Sequence, residues 1–445
     1  MSTPPAAATP LPRDDRRTIN AWAMFDWANS AYALVITTAI FPAYYASLSD
    51  GPVRLLGGTW DLATLFSYAL SAAYLALALA SPLLSGIADA SGKRLAFLRA
   101  FTLVGSVACM GMWWFAGVEQ LGVGTALFVV ATIGYSGALV FYNAFLPLIA
   151  SEERYDAVSA RGFAFGYVGS LLLLLASLGF ILHPTWIGLS EGATGTATRV
   201  AFVLVGVWWI GFAQIPLRRL PPDARAAMPA GWLRRGYREI ALTWADARAR
   251  PLLIRFLAAF FFYSAGVQTV LFLASTFAST ELGFETTELI VVVLLLQLLA
   301  IGGALLFARV SRAYGNVNAL LAMLAIWSAI CAVAYFVTDK AAFYAVAALV
   351  GLVMGGIQSL SRSTYAKLLP ADTPDTTSYF SFYDLLEKVA IVVGTFSFGL
   401  INEVTGGMRL SMLSLTAFFA VGMGLLWNVR VREGREGVRV GKGGG

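Results

Sequence analysis

The residues of this chain that could do chemistry are charged or amide-bearing side chains set inside long apolar runs. Asp26 lies within NAWAMFDWANSAYALVITTAIFPAYYASL, residues 20–48. A charge at that depth of a bilayer-length helix costs about 2.5–3.5 kcal/mol on the insertion scale. Such a group normally faces a bundle interior or a water-filled cavity. Asn29 stands three residues on and so shares the Asp26 face, and Tyr32 adds a hydroxyl. Far along the chain, Gln358 and Arg362 are four apart on one helical face, with Ser361 and Ser363 beside them. Arg362 is close enough to Pro370 to snorkel toward the membrane surface instead. Asp384, Glu387 and Lys388 fall in a third run, where Asp384 and Lys388 at i,i+4 can pair within their helix. Two readings of this trio stay open, a structural ion pair and a role toward solute or proton. Tyr135, Tyr142, Asn143, Tyr263, Ser264, Gln268 and Thr269 supply hydrogen bonds without a full charge. They serve either a polar solute or helix–helix contact.

Those residues must be positioned by membrane helices. The chain has 445 residues, 58% hydrophobic and 13% charged, with mean hydropathy +0.73. Soluble domains carry about 25% charged residues, so the composition describes a polytopic all-α membrane protein. Apolar runs place spans near 20–48, 62–86, 96–116, 122–150, 160–182, 198–217, 252–279, 287–310, 317–338, 341–369, 377–402 and 409–429. That is twelve transmembrane helices, with both termini on one side.

Loop charge orients them. Of 31 Lys and Arg, only Arg54, Arg199, Lys340 and Arg409 fall on the side opposite the termini, and Lys388 lies within a span. The positive-inside rule then puts both termini in the cytoplasm. The domain organisation follows: a tail at 1–19, a six-helix half at 20–217, a basic loop at 218–250, a second half at 251–430 and a tail at 431–445. The Pro/Ala-rich N-terminus has no apolar h-region and reads as a tail, not a cleaved signal. The middle of the loop, GWLRRGYREIALTWADARAR, is either an amphipathic helix on the inner membrane surface or a basic tether. Gly92 and Gly315 are separated by the same distance as Pro147 and Pro370, so the halves read as a repeat. Paired halves of this kind suit a transporter with a midplane site.

The turn after the second span reads GIADASGKR, Gly86 to Arg94. It resembles the G-x-x-x-D-x-x-G-R/K-R/K signature of the major facilitator superfamily, with one residue fewer between Gly86 and Asp89. Asp89, Lys93 and Arg94 are its gating candidates. The second-half counterpart, ARVSRAYGNVN, keeps Arg312 and Gly315 but has no acid. Three further stretches sharpen the resemblance: FDWANSAY; FYNAFLPLIASEERYDAVSARGFAFGYVGS; and GGIQSLSRSTYAKLLP followed by SFYDLLEKVAIVVG. Together they resemble the superfamily branch of the autophagy-related vacuolar amino-acid effluxers and their bacterial relatives, from Asn20 to about Trp427. The departure is YFSF, Tyr379–Phe382, where a glycine-containing FFGLY pattern is expected.

This resemblance implies two pseudo-symmetric six-helix halves and export of amino acids or similar small polar metabolites by alternating access. It also implies that helices 1, 4, 7 and 10 line the cavity while helix 11 is peripheral. Asp26, Asn29 and Tyr32 would then form one wall, Arg362 and Gln358 the opposing wall, and Tyr142, Asn143 and Gln268 would complete it. A zwitterion needs a cation and a carboxylate to face it, which Arg362 and Asp26 supply. Alternatively Asp26 carries a coupling proton or meets only a cationic neighbour, and Asp384, Glu387 and Lys388 join the coupling or gating set.

The remaining features exclude other classes. His183 is the only histidine, which rules out a multi-His metal site. Cys109 and Cys331 lie in spans and give no disulfide framework. No phosphate-cradling glycine loop occurs, so no built-in ATPase powers the cycle, and no cofactor is implied. The partners are a small polar solute, a coupling proton and the bilayer, and not nucleic acid. No nucleophile–base pattern points to an enzyme. Drug or hydrophobic-metabolite efflux, and a non-transporting membrane sensor, remain as rivals. Arginine in excess of lysine and short loops suggest a bacterial inner membrane.

Overall fold

The computed structural model describes residues 13–49, 51–55, 57–223, 231–370, 373–405 and 407–440; residues 1–12 of the expected tail at 1–19, 441–445 of that at 431–445 and 224–230 of the expected loop at 218–250 lie outside them. The first helix, α1 (Arg16–Ala31), begins before the expected residue 20 because Asp15 caps it, its carboxylate accepting from Thr18 N at 2.9 Å. It is not one regular span. A π-helical stretch, Tyr32–Ile40, follows directly, and α2 (Phe41–Ala46) completes the run. A short antiparallel hairpin, β1 (Val53–Leu55) and β2 (Gly58–Trp60), is the one pair of strands among the described residues.

Helix then accounts for nearly all that remains. The elements are α3 (Leu62–Ser91), α4 (Arg94–Gly111), α5 (Leu121–Asn143), α6 (Leu146–Ile149), α7 (Tyr155–Leu182) and α8 (Thr194–Arg219). They continue as α9 (Trp232–Ala249), α10 (Pro251–Leu282), α11 (Thr286–Tyr314), α12 (Asn316–Phe336), α13 (Lys340–Leu368), α14 (Thr376–Thr405) and α15 (Met408–Val440). Gly92 ends α3 in the left-handed region at φ 65°, which turns the chain sharply into α4. Ten helices among the described residues are long and apolar enough to cross a membrane. The expected twelve count two more runs: 16–46, interrupted by its π segment, and α14, which carries Asp384, Glu387 and Lys388. Their outer surface is apolar, with Leu79, Phe336 and Val404 each at least three-quarters exposed.

Packing partners fall into two groups. α1 packs on α7 and α8, α4 on α5 and α8, and α3 on α5. In the second group α10 packs on α14 and α15, α12 on α13 and α15, and α11 on α13. Small residues make these approaches possible in lipid, where apolar burial gives no drive. In α7, a Cβ on Gly162, Gly166 or Gly169 would lie 2.6–2.7 Å from atoms of Asp26, Ser30 or Trp27 on α1. The groups meet where α7 packs on α11 and α13, and α3 on α14.

The amphipathic α9 is neither a surface helix alone nor a loose tether. It lies along α3, so close at Gly236 that a Cβ on Gly86 would stand 2.4 Å from the Gly236 carbonyl oxygen. It also reaches α14. Trp244 packs on Phe382 with ring centroids 5.2 Å apart, and the Tyr379 hydroxyl donates to Asp246. The YFSF departure thus supplies both side chains by which α14 holds this strap.

Candidate functional site

Arg362 of α13 is not snorkelled. It is 2% exposed and turns across the bundle to Asp26 of α1, which is 4% exposed. Its Nη1 and Nη2 lie 3.3 and 3.4 Å from Asp26 Oδ2. Nη1 also donates to Asn143 Oδ1 at 3.1 Å, Nε to Ser159 Oγ at 2.9 Å and Nη2 to the Ser159 carbonyl at 2.9 Å. A guanidinium has five N–H donors, and these five contacts account for them. Aromatic rings surround it, Phe163 at 4.2 Å and Trp22 at 4.8 Å from its central carbon. A surface position would forfeit this set, which is why the long side chain stays inside. Tyr142 donates to Asp26 Oδ2 at 2.7 Å and stacks on Trp22 at 4.5 Å. It holds the carboxylate from behind.

Above this pair lies a cavity of about 280 Å³ between the two helix groups. Asp26, Asn143, Gln268, Gln358 and Arg362 line it as expected. Gln358 accepts from Tyr167 OH at 2.6 Å, and Gln268 donates to Glu387 Oε1 at 3.0 Å. Asn29, Tyr32 and Tyr142 do not line it, Tyr142 being fully buried behind Asp26. Asn29 is fully buried elsewhere, and Tyr32 points into α5, its hydroxyl 2.9 Å from Thr132 Oγ1. The physical reason is angular. At 100° per residue, Ser30 is about 40° from Asp26 on one side and Asn29 about 60° on the other, and the cavity lies toward Ser30. Beyond Ala31 the π geometry changes the advance per residue, and Ala33, Thr37 and Thr38 face the cavity.

Helix α14 is not peripheral. Asp384, Glu387 and Lys388 all line the cavity, and the Lys388 ammonium both donates to Asp384 Oδ1 and stands 5.9 Å from the Tyr74 ring of α3. Structural pairing and cavity exposure therefore coexist. Tyr74, Tyr383, Phe163 and Ser30 were not singled out from the sequence; nothing but their helical register could have marked them. Thr38 and Phe272 are the cavity's exposed lining residues, on parts of their helices far from the basic loops.

The other end, where the basic residues gather, is shut by two locks. Asp89 accepts from the backbone of Ser378 at 2.6 Å and Thr377 at 3.4 Å, capping the N-terminus of α14. Arg94 binds Asp89 at 2.8 Å, Thr377 Oγ1 at 2.6 Å and the Pro374 carbonyl at 2.7 Å. Lys93 is the half-buried residue before α4. The counterpart turn has no acid of its own, but the first helix group provides one. Asp156 of α7 accepts from Asn316 Nδ2 at 2.7 Å, Ser311 Oγ at 3.0 Å and Lys367 Nζ at 2.8 Å.

Asp375, beside the first lock, gives that end a pH dependence. Its carboxyl is pushed up to about 7, first by burial, then by the negative charges of Glu239 and Asp89 against the opposing Arg94. A carboxyl raised above its unfolded value of 3.8 binds its proton more tightly in this arrangement. Opening that end would return Asp375 toward its ordinary value, so the closed arrangement should be most favoured at low pH and weaken as pH rises from about 4 to about 7. Spin-label distances across that end should lengthen over this range, and Asp375→Asn should flatten the dependence; an unchanged profile in the variant would remove Asp375 as its source.

The whole chain resembles proteins already described. Residues 14–439 match the family described as vacuole effluxer Atg22 like. The chain belongs to this family. It is 31% identical to the uncharacterized MFS-type transporter YxiO of Bacillus subtilis over 92% of this chain and 93% of that protein. Autophagy-related protein 22 of Kluyveromyces lactis is 22% identical, with 96% of each chain covered. Among solved structures, the major facilitator transporter FucP in its outward conformation superposes with a TM-score of 0.70 at 14% identity, covering 93% of this chain and 99% of that one. The human organic anion transporter MFSD10 gives 0.69, also at 14% identity, over 93% and 100%. The family member described here has the major facilitator fold and is a membrane transporter, not an enzyme.

Proposed function

We propose that this transporter is a secondary exporter of amino acids or similar small polar metabolites, working in a bacterial plasma membrane with both termini cytoplasmic. Residues 20–217 and 251–430 rock about the cavity as two halves. The observation that carries this reading is one polar cavity between the helix groups, open at one end and shut at the basic end by Asp26–Arg362 and the two locks. With the basic end cytoplasmic, this is the outward-open state of an alternating-access cycle.

Size and charge favour a small polar solute over a drug. The cavity, about 280 Å³, stands at the lower end of ligand-pocket sizes, and its five charged residues would be costly to bury against an apolar drug. Because the donors of Arg362 are taken by Asp26, Asn143 and Ser159, the pair acts first as a latch between halves. It meets cargo or a coupling proton only when it parts. Reconstituted in liposomes, the wild type should exchange labelled amino acids across the bilayer, and Asp26→Asn should lose most of that flux. Wild-type liposomes that bind solute yet move none, over a panel of amino acids and polar metabolites, would instead identify a sensor.

A further inference from the structure

We propose that α14 carries the cation-binding part of the cavity, in which Glu387, backed by Asp384, holds a positively charged nitrogen of the cargo. The inference rests on reading the cavity as the cargo site. It begins from a charge inventory of the lining: the acids are Asp26, Asp384 and Glu387, and the bases are Arg362 and Lys388. Arg362 is committed to Asp26. Lys388 is bonded to Asp384. Glu387 is bonded by the neutral Gln268 amide, at 3.0 Å to Oε1. Lys388 stands beside it in the chain, but one lysine then serves two acids. By formal count the lining has one acid more than it has bases, and that acid sits on α14.

A second observation is independent of that inventory. Asp384 is 6% exposed, yet its Oδ2 has no hydrogen-bond partner. A buried carboxylate oxygen without a donor is unfavourable unless something returns the lost hydrogen bond. It belongs to the same cavity wall as Glu387, one helical turn away. An ammonium group held by Glu387 would bring positive charge beside this under-satisfied carboxylate.

The aromatic lining fits the same ligand. Tyr74, Tyr135, Tyr263 and Tyr383 all contribute to the wall. Ring faces attract cations within about 6 Å, and Lys388 already stands 5.9 Å from Tyr74. An anionic solute would meet both the additional acid and the ring faces, so it is disfavoured twice. The cargo is accordingly a primary amine or an amino acid bound by its ammonium. Asp26, engaged by Arg362, does not take that group.

The test compares cadaverine, aminovalerate and glutarate, three five-carbon chains that differ in their end charges. Thermal unfolding of the full chain in detergent is followed as each is titrated at fixed pH and fixed sodium. Cadaverine and aminovalerate should stabilise the wild type and glutarate should not. Loss of one charge-assisted contact weakens binding by about 10- to 100-fold. Glu387→Gln, which keeps the acceptor for Gln268, should show that loss, whereas Glu387→Asp should retain much of the binding. Glutarate binding as tightly as cadaverine, or no stabilisation by either amine, overturns the proposal without any variant being needed. A sodium or pH titration that stabilises the protein while the amines do not would assign Glu387 to a coupling ion and equally overturn it. Amino-acid flux in liposomes with amine binding unchanged in Glu387→Gln would sink this site but leave transport standing. Amine binding without flux would do the reverse.

Discussion

Replacing Arg362 by methionine should destabilise the protein by about 3–5 kcal/mol. Methionine keeps the length and apolar bulk but leaves Asp26 as a carboxylate, 4% exposed, with the Tyr142 hydroxyl as its remaining side-chain donor. The five donor contacts to Asp26, Asn143 and Ser159 vanish together. The double variant Asp26→Asn with Arg362→Met removes the uncompensated charge and should regain a substantial part of that stability. Unfolding of the four proteins in the same detergent gives the cycle. A double variant no more stable than Arg362→Met would show that the pair is not coupled as its geometry implies. Transport should fail in both variants, because the second loses the latch as well.

Gly162→Ala should be almost as damaging to function while altering only one methyl group. Its added Cβ would stand 2.6 Å from Asp26 Oδ2, 2.9 Å from Arg362 Nη2 and 2.9 Å from the Trp22 ring. These atoms belong to a buried ion pair and a buried indole, so no flexible end can swing aside. Overpacking of this kind costs about 1–3 kcal/mol, and the cost falls chiefly on the arrangement in which α7, α1 and α13 meet. The latched state should therefore lose about 5- to 150-fold in population relative to a state with the halves apart. A cysteine introduced near the basic end should then react faster with an impermeant thiol reagent applied from that side. Equal reactivity in Gly162→Ala and its parent would mean that the contact persists in both states.

Much of this site is legible in the sequence because lipid restricts what a charge inside a span can do. Asp26 and Arg362 stand out as ionisable groups in apolar runs, and the arginine-rich stretch at residues 218–250 marks the division between the two sets of spans. Asn143, Gln268 and Gln358 fall on the helices that the family resemblance assigns to the cavity, and they do line it. Asn29 and Tyr32 fail for a local reason. Sharing a side of α1 with Asp26 within about 60° is too coarse when the cavity edge lies between Asn29 and Ser30, and the π segment then resets the register. The peripheral place expected for α14 fails for a global one, since its packing against α3 and α10 brings Asp384, Glu387 and Lys388 to the cavity. Asp156 escaped notice because the acid that completes the second lock is 160 positions from Asn316.

The sequence by itself determined the membrane class, the succession of apolar helices, the family, and the rule that its buried charges need partners. Those properties depend on composition and on period along a single helix, which a linear pattern carries in full. Only the tertiary structure decided that Arg362 pairs with Asp26, that α9 straps α3 to α14, and that Glu387 lines the cavity bonded by the neutral Gln268 amide. The reason is that periodicity fixes where a side chain points about its own axis. What stands opposite it, at 3 Å or across a cavity, is set by which helices pack together and at what rotation.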